Sequence, residues 1–251
     1  LFFLSVILLF IQSCSNTKDP ISPNPDEKGS IILKFDHIVG DKPLILNGPI
    51  DFVNSTGETF NITIFDYYIS NIVLHCSCGT SYTVPQDSSY FLIKSSGENS
   101  NTIVLNNIPA ADYHAVTYTL GVDSLRNTMP VSKRQGSLDV ANGMYWAWNS
   151  GYIFTMVEGD SPASPNGSFR YHVGGFGGMT SPTFNNLKTI TMNFNSEKAA
   201  VRINKKPEVH IQVDVLKIFN GKSNVSIADN PSVMFNPFST IVADNMETMF
   251  S

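Results

Sequence analysis

The chain is poor in charged residues, which make up 15% of its 251 residues. Lysine and arginine number only 16, against 21 aspartates and glutamates, so the formal net charge is −5. This balance supplies no positive field for holding phosphates, which argues against nucleic acid as a partner. The apolar share of 42% is large enough to bury a core, and it excludes disorder of the whole chain.

The chain also lacks a hydrophobic run long enough to cross a bilayer. Its most apolar segment, residues 1–12 (LFFLSVILLFIQ), is too short for a hydrocarbon layer of about 30 Å. It is typical of the apolar core of an export signal. No methionine or basic stretch precedes it, so we expect the natural start to lie upstream of Leu1.

The apolar run ends in residues 11–14 (IQSC), which resemble a bacterial lipobox. In such a sequence the signal peptidase cuts before Cys14, and lipid chains on that residue anchor the protein. Residues 15–28 contain three prolines and no apolar periodicity, as expected of a solvated tether. We therefore predict a signal peptide at 1–13, a lipidated tether at 14–28 and one domain at 29–251. Ser15 follows the cysteine and is not an acidic retention signal for the inner membrane, which favours the outer membrane. The alternative to a lipoprotein is an ordinary signal peptide followed by a chance cysteine.

Alternation with a period of two dominates the rest of the chain. Apolar residues at 31, 33, 35 and 39, and again at 209, 211, 213 and 215, share one parity within each segment. Turn sequences rich in Gly, Pro and Asn separate such segments, and no long stretch has a helical apolar stripe until residues 229–250. The pattern predicts a mostly β protein, an antiparallel β-sandwich with long loops and one short C-terminal helix.

Motifs for catalysis are missing. Residues 174–178 (GGFGG) lack the Lys-Ser/Thr of a phosphate-binding loop, so a flexible hairpin or bulge is the better interpretation. No serine lies in a Gly-x-Ser-x-Gly elbow, and the acidic residues are too scattered to define a glycosidase pair. We expect a binding protein and not an enzyme.

The five histidines are the first candidates for a binding site. His37 continues the apolar parity of Leu33 and Phe35 and precedes Gly40, so it is expected to point inward at a strand end. Such a histidine is either a satisfied core residue or a metal ligand. His114 shares parity with Val116, and His210 is expected to face solvent.

A cysteine pair follows His75 in residues 75–79 (HCSCG). In an oxidising compartment Cys76 and Cys78 are expected to form a disulfide, although the ring is short. Free or differently paired thiols are a second interpretation. A soft-metal site in which His75 joins the two thiolates is the third.

Both tryptophans, Trp146 and Trp148, lie in residues 142–154 and share a face if the backbone is extended. By themselves they indicate either an aromatic core cluster or an exposed platform for a sugar.

Four segments carry a family resemblance when taken in order. They are residues 65–72 (FDYYISNI), 121–124 (GVDS), 143–153 (GMYWAWNSGYI) and 169–174 (FRYHVG). Together they resemble the MbnP-like copper-binding family, which includes the methanobactin-associated MbnP proteins, the CorA and MopE copper proteins of methane oxidisers, and many envelope lipoproteins. The resemblance spans roughly residues 30–250.

The resemblance implies copper bound by histidines and by a kynurenine, which a di-haem peroxidase of the MbnH type makes from one tryptophan of the Trp-x-Trp motif. At the matching positions stand His37, His172, Trp146 and Trp148. A small set of such donors gives the low coordination number that Cu(I) accepts. The implied role is copper capture, storage or delivery; the rival is a glycan- or protein-binding surface lipoprotein without metal.

Overall fold

The structure is a computed structural model that describes residues 22–146, 151–195 and 197–251. The predicted signal peptide, Cys14 and Trp148 therefore lie outside the described residues. The strands are β1 (Asn24–Val39), β2 (Lys42–Pro43), β3 (Phe52–Val53), β4 (Thr59–Phe60), β5 (Ile64–Cys76), β6 (Ser81–Thr83), β7 (Tyr90–Lys94), β8 (Thr102–Leu120), β9 (Tyr145–Trp146), β10 (Gly151–Asp160), β11 (Ser168–Gly174), β12 (Lys188–Asn193), β13 (Ala199–Val201), β14 (Glu208–Asp214) and β15 (Ser232–Val233). The helices are α1 (Ser124–Asn127), α2 (Lys217–Asn220) and α3 (Phe238–Met246), with 3₁₀ turns at Gln86–Ser88, Val131–Lys133, Gly136–Leu138, Val140–Asn142 and Glu247–Met249.

The central strand β8 belongs to both layers of the fold. Its first half, residues 102–110, pairs with β1, and its second half pairs with β5 on one edge and with β12 and β13 on the other. The main path through the sheet runs β14-β1-β8-β5-β10-β11-β15, with most neighbours antiparallel. The predicted mostly β, sandwich-like class is confirmed, and so is the short C-terminal helix.

Two hydrophobic clusters lie on opposite sides of β5 and β10. The inner cluster, centred on residues such as Leu33, Phe35, Tyr67 and Val213, fills the space between the two layers. The outer cluster lies on the other face of β5; its buried members are Tyr68, Tyr90, Val122, Leu138, Met144, Trp146, Tyr152, Ile153 and Phe154. Adjacent residues of β5, Tyr67 and Tyr68, thus serve different clusters, because successive side chains of a strand point to opposite faces.

The first strand begins earlier than the sequence predicts. β1 starts at Asn24, where that residue pairs with Ala110, and Lys28 pairs with Pro109. These positions lie within the stretch expected to be tether. Strand pairing uses backbone groups, so it extends past the last apolar side chain that a periodicity can detect.

None of the helices in the described ranges combines the length and the hydrophobicity needed to cross a bilayer.

Candidate metal centre

His37 lies near the end of β1 and points into the inner cluster, as its parity predicts. Its Nε2 is 3.0 Å from the Tyr67 hydroxyl oxygen, and its Nδ1 is 3.0 Å from Oγ of Ser95. The imidazole also makes edge-to-face contacts with the rings of Phe65 and Tyr67. Both ring nitrogens are therefore hydrogen-bonded, and an ion could bind one of them only by displacing a hydroxyl group.

Burial keeps the His37 ring neutral. It lowers the pKa of the imidazole from 6.5 to about 4, although the nearby Asp36 carboxylate opposes the shift. The pKa of the Tyr67 hydroxyl is raised by burial, with a further contribution from Tyr118, so this group stays a phenol. The neutral ring and the two hydroxyl groups form a satisfied polar cluster inside an apolar core.

His172 lies on β11 with a different environment. Its Nε2 is 2.7 Å from Oε1 of Glu158, and only 13% of its side chain is exposed. A carboxylate only accepts hydrogen bonds, so Nε2 carries the proton and Nδ1 of the neutral ring keeps a lone pair. This arrangement, in which a carboxylate orients one nitrogen and leaves the other available, is typical of metal-binding histidines.

The strand register separates His172 from His37. Met156 of β10 pairs with His172 on one side and with Asp66 of β5 on the other. Residues paired directly across strands share a face, so His172, Met156 and Asp66 lie on the face opposite to that of Tyr67. Because Tyr67 contacts His37, the sheet lies between the two histidines. The structure does not bring them to one ion.

Trp146 lies on the same side of the sheet as His172. It is 4% exposed, belongs to the outer cluster and contacts the ring of Phe235. Its ring packs on Gly174, where an added Cβ would be 2.7 Å from Cζ3 of the indole. Gly174 follows His172 by two positions on β11, which places the indole and the imidazole on one face. Trp146 therefore does not form an exposed platform for a sugar.

A cleft of ≈ 280 Å³ adjoins Trp146. The glycine-rich loop forms one wall with Gly175, Phe176 and Met179. Backbone hydrogen bonds between Gly177 and Phe184, and between Thr183 and Gly177, close this loop as a hairpin, as predicted. The cleft gives solvent a route to the edge of the indole.

Comparison with known proteins identifies the family of the chain. The family model described as MbnP matches residues 28–235, which include His37, His172 and both tryptophans. The chain belongs to the MbnP family. No curated protein matches it significantly. Among solved structures, MbnP from Methylosinus trichosporium is similar, with 15% sequence identity, a TM-score of 0.59 and 80% of each chain covered. At 15% identity, this structural similarity shows that the two proteins share a fold and nothing more.

In this MbnP-family protein Cys76 and Cys78 form a disulfide. Cys76 is 1% exposed in the inner cluster, while His75, the preceding residue, points to the other face. There His75 is hydrogen-bonded to Ser81 and Thr117. The strand alternation that separates Cys76 from His75 disfavours a site built from both.

Sequence reasoning missed Glu158 and Met156 as neighbours of His172. Both lie in the segment that follows the Trp-x-Trp motif, but their proximity depends on the pairing of β10 with β11, which no local pattern reveals. In the described part of the MbnP-family chain, no three His, Cys, Asp or Glu side chains converge as a metal-binding group.

Proposed function

We propose that this protein binds copper on the outer face of its sheet, with His172 as the principal ligand. The observation that carries the proposal is the hydrogen bond of 2.7 Å between His172 Nε2 and Glu158 Oε1. It fixes the ring orientation, and it leaves Nδ1 as a ligand atom on the face of the sheet that also carries Trp146. His37, whose nitrogens both bind hydroxyl groups, then has a structural role.

The remaining donors near His172 favour a soft ion. Met156 is paired with His172 and offers a thioether. Oxidation of Trp146 to a kynurenine would add an aromatic amine and a ketone at the same face. Imidazole and thioether suit copper, whereas magnesium and calcium require several oxygen ligands. We propose that a di-haem peroxidase of the MbnH type supplies the oxidation, at Trp146 or at Trp148.

The proposed setting is the bacterial envelope. Lipidation of Cys14 would hold the domain at the outer membrane through the tether, where it captures, stores or delivers copper and does not turn over a substrate. Family membership supports a copper-related role, and the lipobox-like residues 11–14 support the anchor.

A Cu(I) titration against a chromophoric chelator tests the ligand assignment. The His172→Ala variant should lose one equivalent of bound Cu(I), and Glu158→Gln should weaken that equivalent by roughly tenfold because the ring is less firmly oriented. His210→Ala, which removes an exposed histidine on β14, is the matched control and should bind as the wild type. Loss of copper from His37→Ala, with His172→Ala unaffected, would move the ion to the inner cluster and refute the assignment.

Mass spectrometry of the protein purified from its native host tests the two covalent proposals together. The peptide containing Trp146 and Trp148 should carry one added oxygen and one carbon fewer, as in a kynurenine. The N-terminal peptide should begin at a lipidated Cys14. An unmodified tryptophan peptide would remove kynurenine from the ligand set, and an unlipidated Cys14 would remove the anchor.

A further inference from the structure

A second pair of imidazoles comes together far from His172. The ring centres of His75, on β5, and His114, on β8, are 6.5 Å apart, with the ring planes inclined at 50°. Along β5, His75 lies nine residues after Asp66, the residue in register with Met156 and His172. At about 3.3 Å per strand residue, this separates the pair from His172 by roughly 30 Å.

A β-bulge puts the two histidines on one face. His75 pairs with Ala115, but the next residue, Cys76, pairs with Tyr113, so His114 is the additional residue of β8. In an unbroken ladder His114 would point into the inner cluster, opposite to Ala115. The bulge turns it outward, and β-bulges commonly re-aim a side chain next to a functional site.

The two rings differ in how firmly they are held. His75 is fixed by two hydrogen bonds, of 2.8 Å between Nδ1 and Oγ of Ser81 and of 2.7 Å between Nε2 and Oγ1 of Thr117. Thr117 in turn contacts the Thr191 hydroxyl at 2.8 Å. His114 is exposed, and within the described residues its ring makes no hydrogen bond. One ring is preorganised, and the other is free to adjust by side-chain rotation.

The spacing fits one ion bound between the rings. Metal–nitrogen bonds are about 2.0 Å long, and the ring centre lies roughly 1.2 Å behind the nitrogen, so a nearly linear bis-imidazole ion separates the centres by roughly 6 Å. We propose that His75 and His114 form a two-coordinate Cu(I) site, distinct from the one at His172. As at His37, an ion must displace a hydroxyl group to reach a ring nitrogen of His75. Here the site is part-exposed, so the displaced hydroxyl of Thr117 or Ser81 can turn to water, and His114 offers a second nitrogen; the hydroxyls around His37 are enclosed by aromatic rings.

The surroundings select the ion. In the part of the chain that the structure describes, no carboxylate or thiolate joins these histidines as a third ligand, and the sulfur of Cys76 is bonded to that of Cys78 on the other face. Zinc generally takes four ligands, and hard divalent ions take oxygen. Cu(I) is stable with two nitrogen donors, so the sparse donor set favours it.

The test is an anaerobic Cu(I) titration of the full chain in the His172→Ala background, against a chromophoric chelator and without thiol reductant. One equivalent should bind, and His114→Ala should weaken it at least tenfold while leaving the hydrogen bonds of His75 intact. His75→Ala should do the same. The matched control, His210→Ala, should leave the affinity unchanged.

Three results would overturn the proposal. They are unchanged affinity in His114→Ala, loss of binding in a Cys76→Ser, Cys78→Ser double variant with both histidines present, and tighter binding of Zn²⁺ than of Cu(I). Because His172 is absent from every protein in this series, failure here leaves the proposed function standing. The converse result is that His172→Ala binds as many equivalents of copper as the wild type, while His114→Ala binds one fewer. That result refutes the proposed function and leaves the site at His75 and His114 standing.

Discussion

At the scale of single residues, hydrogen-bond partners distinguish histidines that sequence parity treats alike. His37 and His172 both lie in strands, and both are largely enclosed. The first meets two hydroxyl groups in an apolar core, whereas the second meets one carboxylate on the outer face of the sheet. This difference makes His172 the better candidate ligand, and it depends on residues that are distant in sequence.

Gly174 offers a prediction at this scale. A Cβ in Gly174→Ala would lie 2.4 Å from the Tyr152 carbonyl oxygen and 2.7 Å from the Trp146 ring, so the backbone and the indole must both shift. Overpacking of this kind costs about 1–3 kcal/mol. We expect a lower midpoint of urea unfolding, a shifted tryptophan emission and weaker copper binding. Ser168→Ala, an exposed change on the same strand, is the control; identical emission from the Gly174 variant would show that the indole does not rest on this residue.

At the scale of elements, the long strands β5 and β8 decide where functional side chains converge. The β class was predictable for another reason, since the apolar alternation in the segments that form β1 and β14 could be read from the sequence. The bulge at His114 could not, since it appears only when the pairing of β8 with β5 is known. A one-residue slip reverses the face of every side chain beyond it, so local parity assigns faces only between such irregularities.

At the scale of the whole molecule, His37 and Glu58 contribute to the response of the fold to acid. Burial raises the pKa of Glu58, but hydrogen bonds from the Ala228 N–H, the Asn54 amide, the Ile227 N–H and the Thr56 hydroxyl outweigh this effect and lower it from 4.5 to about 2. Glu58 thereby ties the β3–β4 turn to residues 227 and 228.

These shifts predict a stability that falls in two stages. The neutral His37 ring loses its contribution as the pH falls from 6.5 to about 4, a change of up to about 3 kcal/mol. The ionised Glu58 contribution is complete above pH 4.5 and is lost as the pH falls through about 2. Urea unfolding at a series of pH values should show this decline. In Glu58→Gln the free energy of unfolding should fall less steeply below pH 4.5, and in His37→Gln it should fall less steeply above pH 4. If the free energy of unfolding changes with pH in the same way in the wild type and both variants, the assignment is contradicted.

Sequence alone determined the β class, the short C-terminal helix and the family, because alternation, turn residues and the motifs around Trp146 are local signals. It also led to the prediction that histidine and tryptophan would supply the copper ligands. Only the tertiary structure decided which of them meet: β10 and β11 place Glu158 and Met156 beside His172, the sheet separates His37 from that face, and a bulge turns His114 towards His75. The physical reason is that faces and distances between strands follow from pairing register, which is set by contacts along the whole chain.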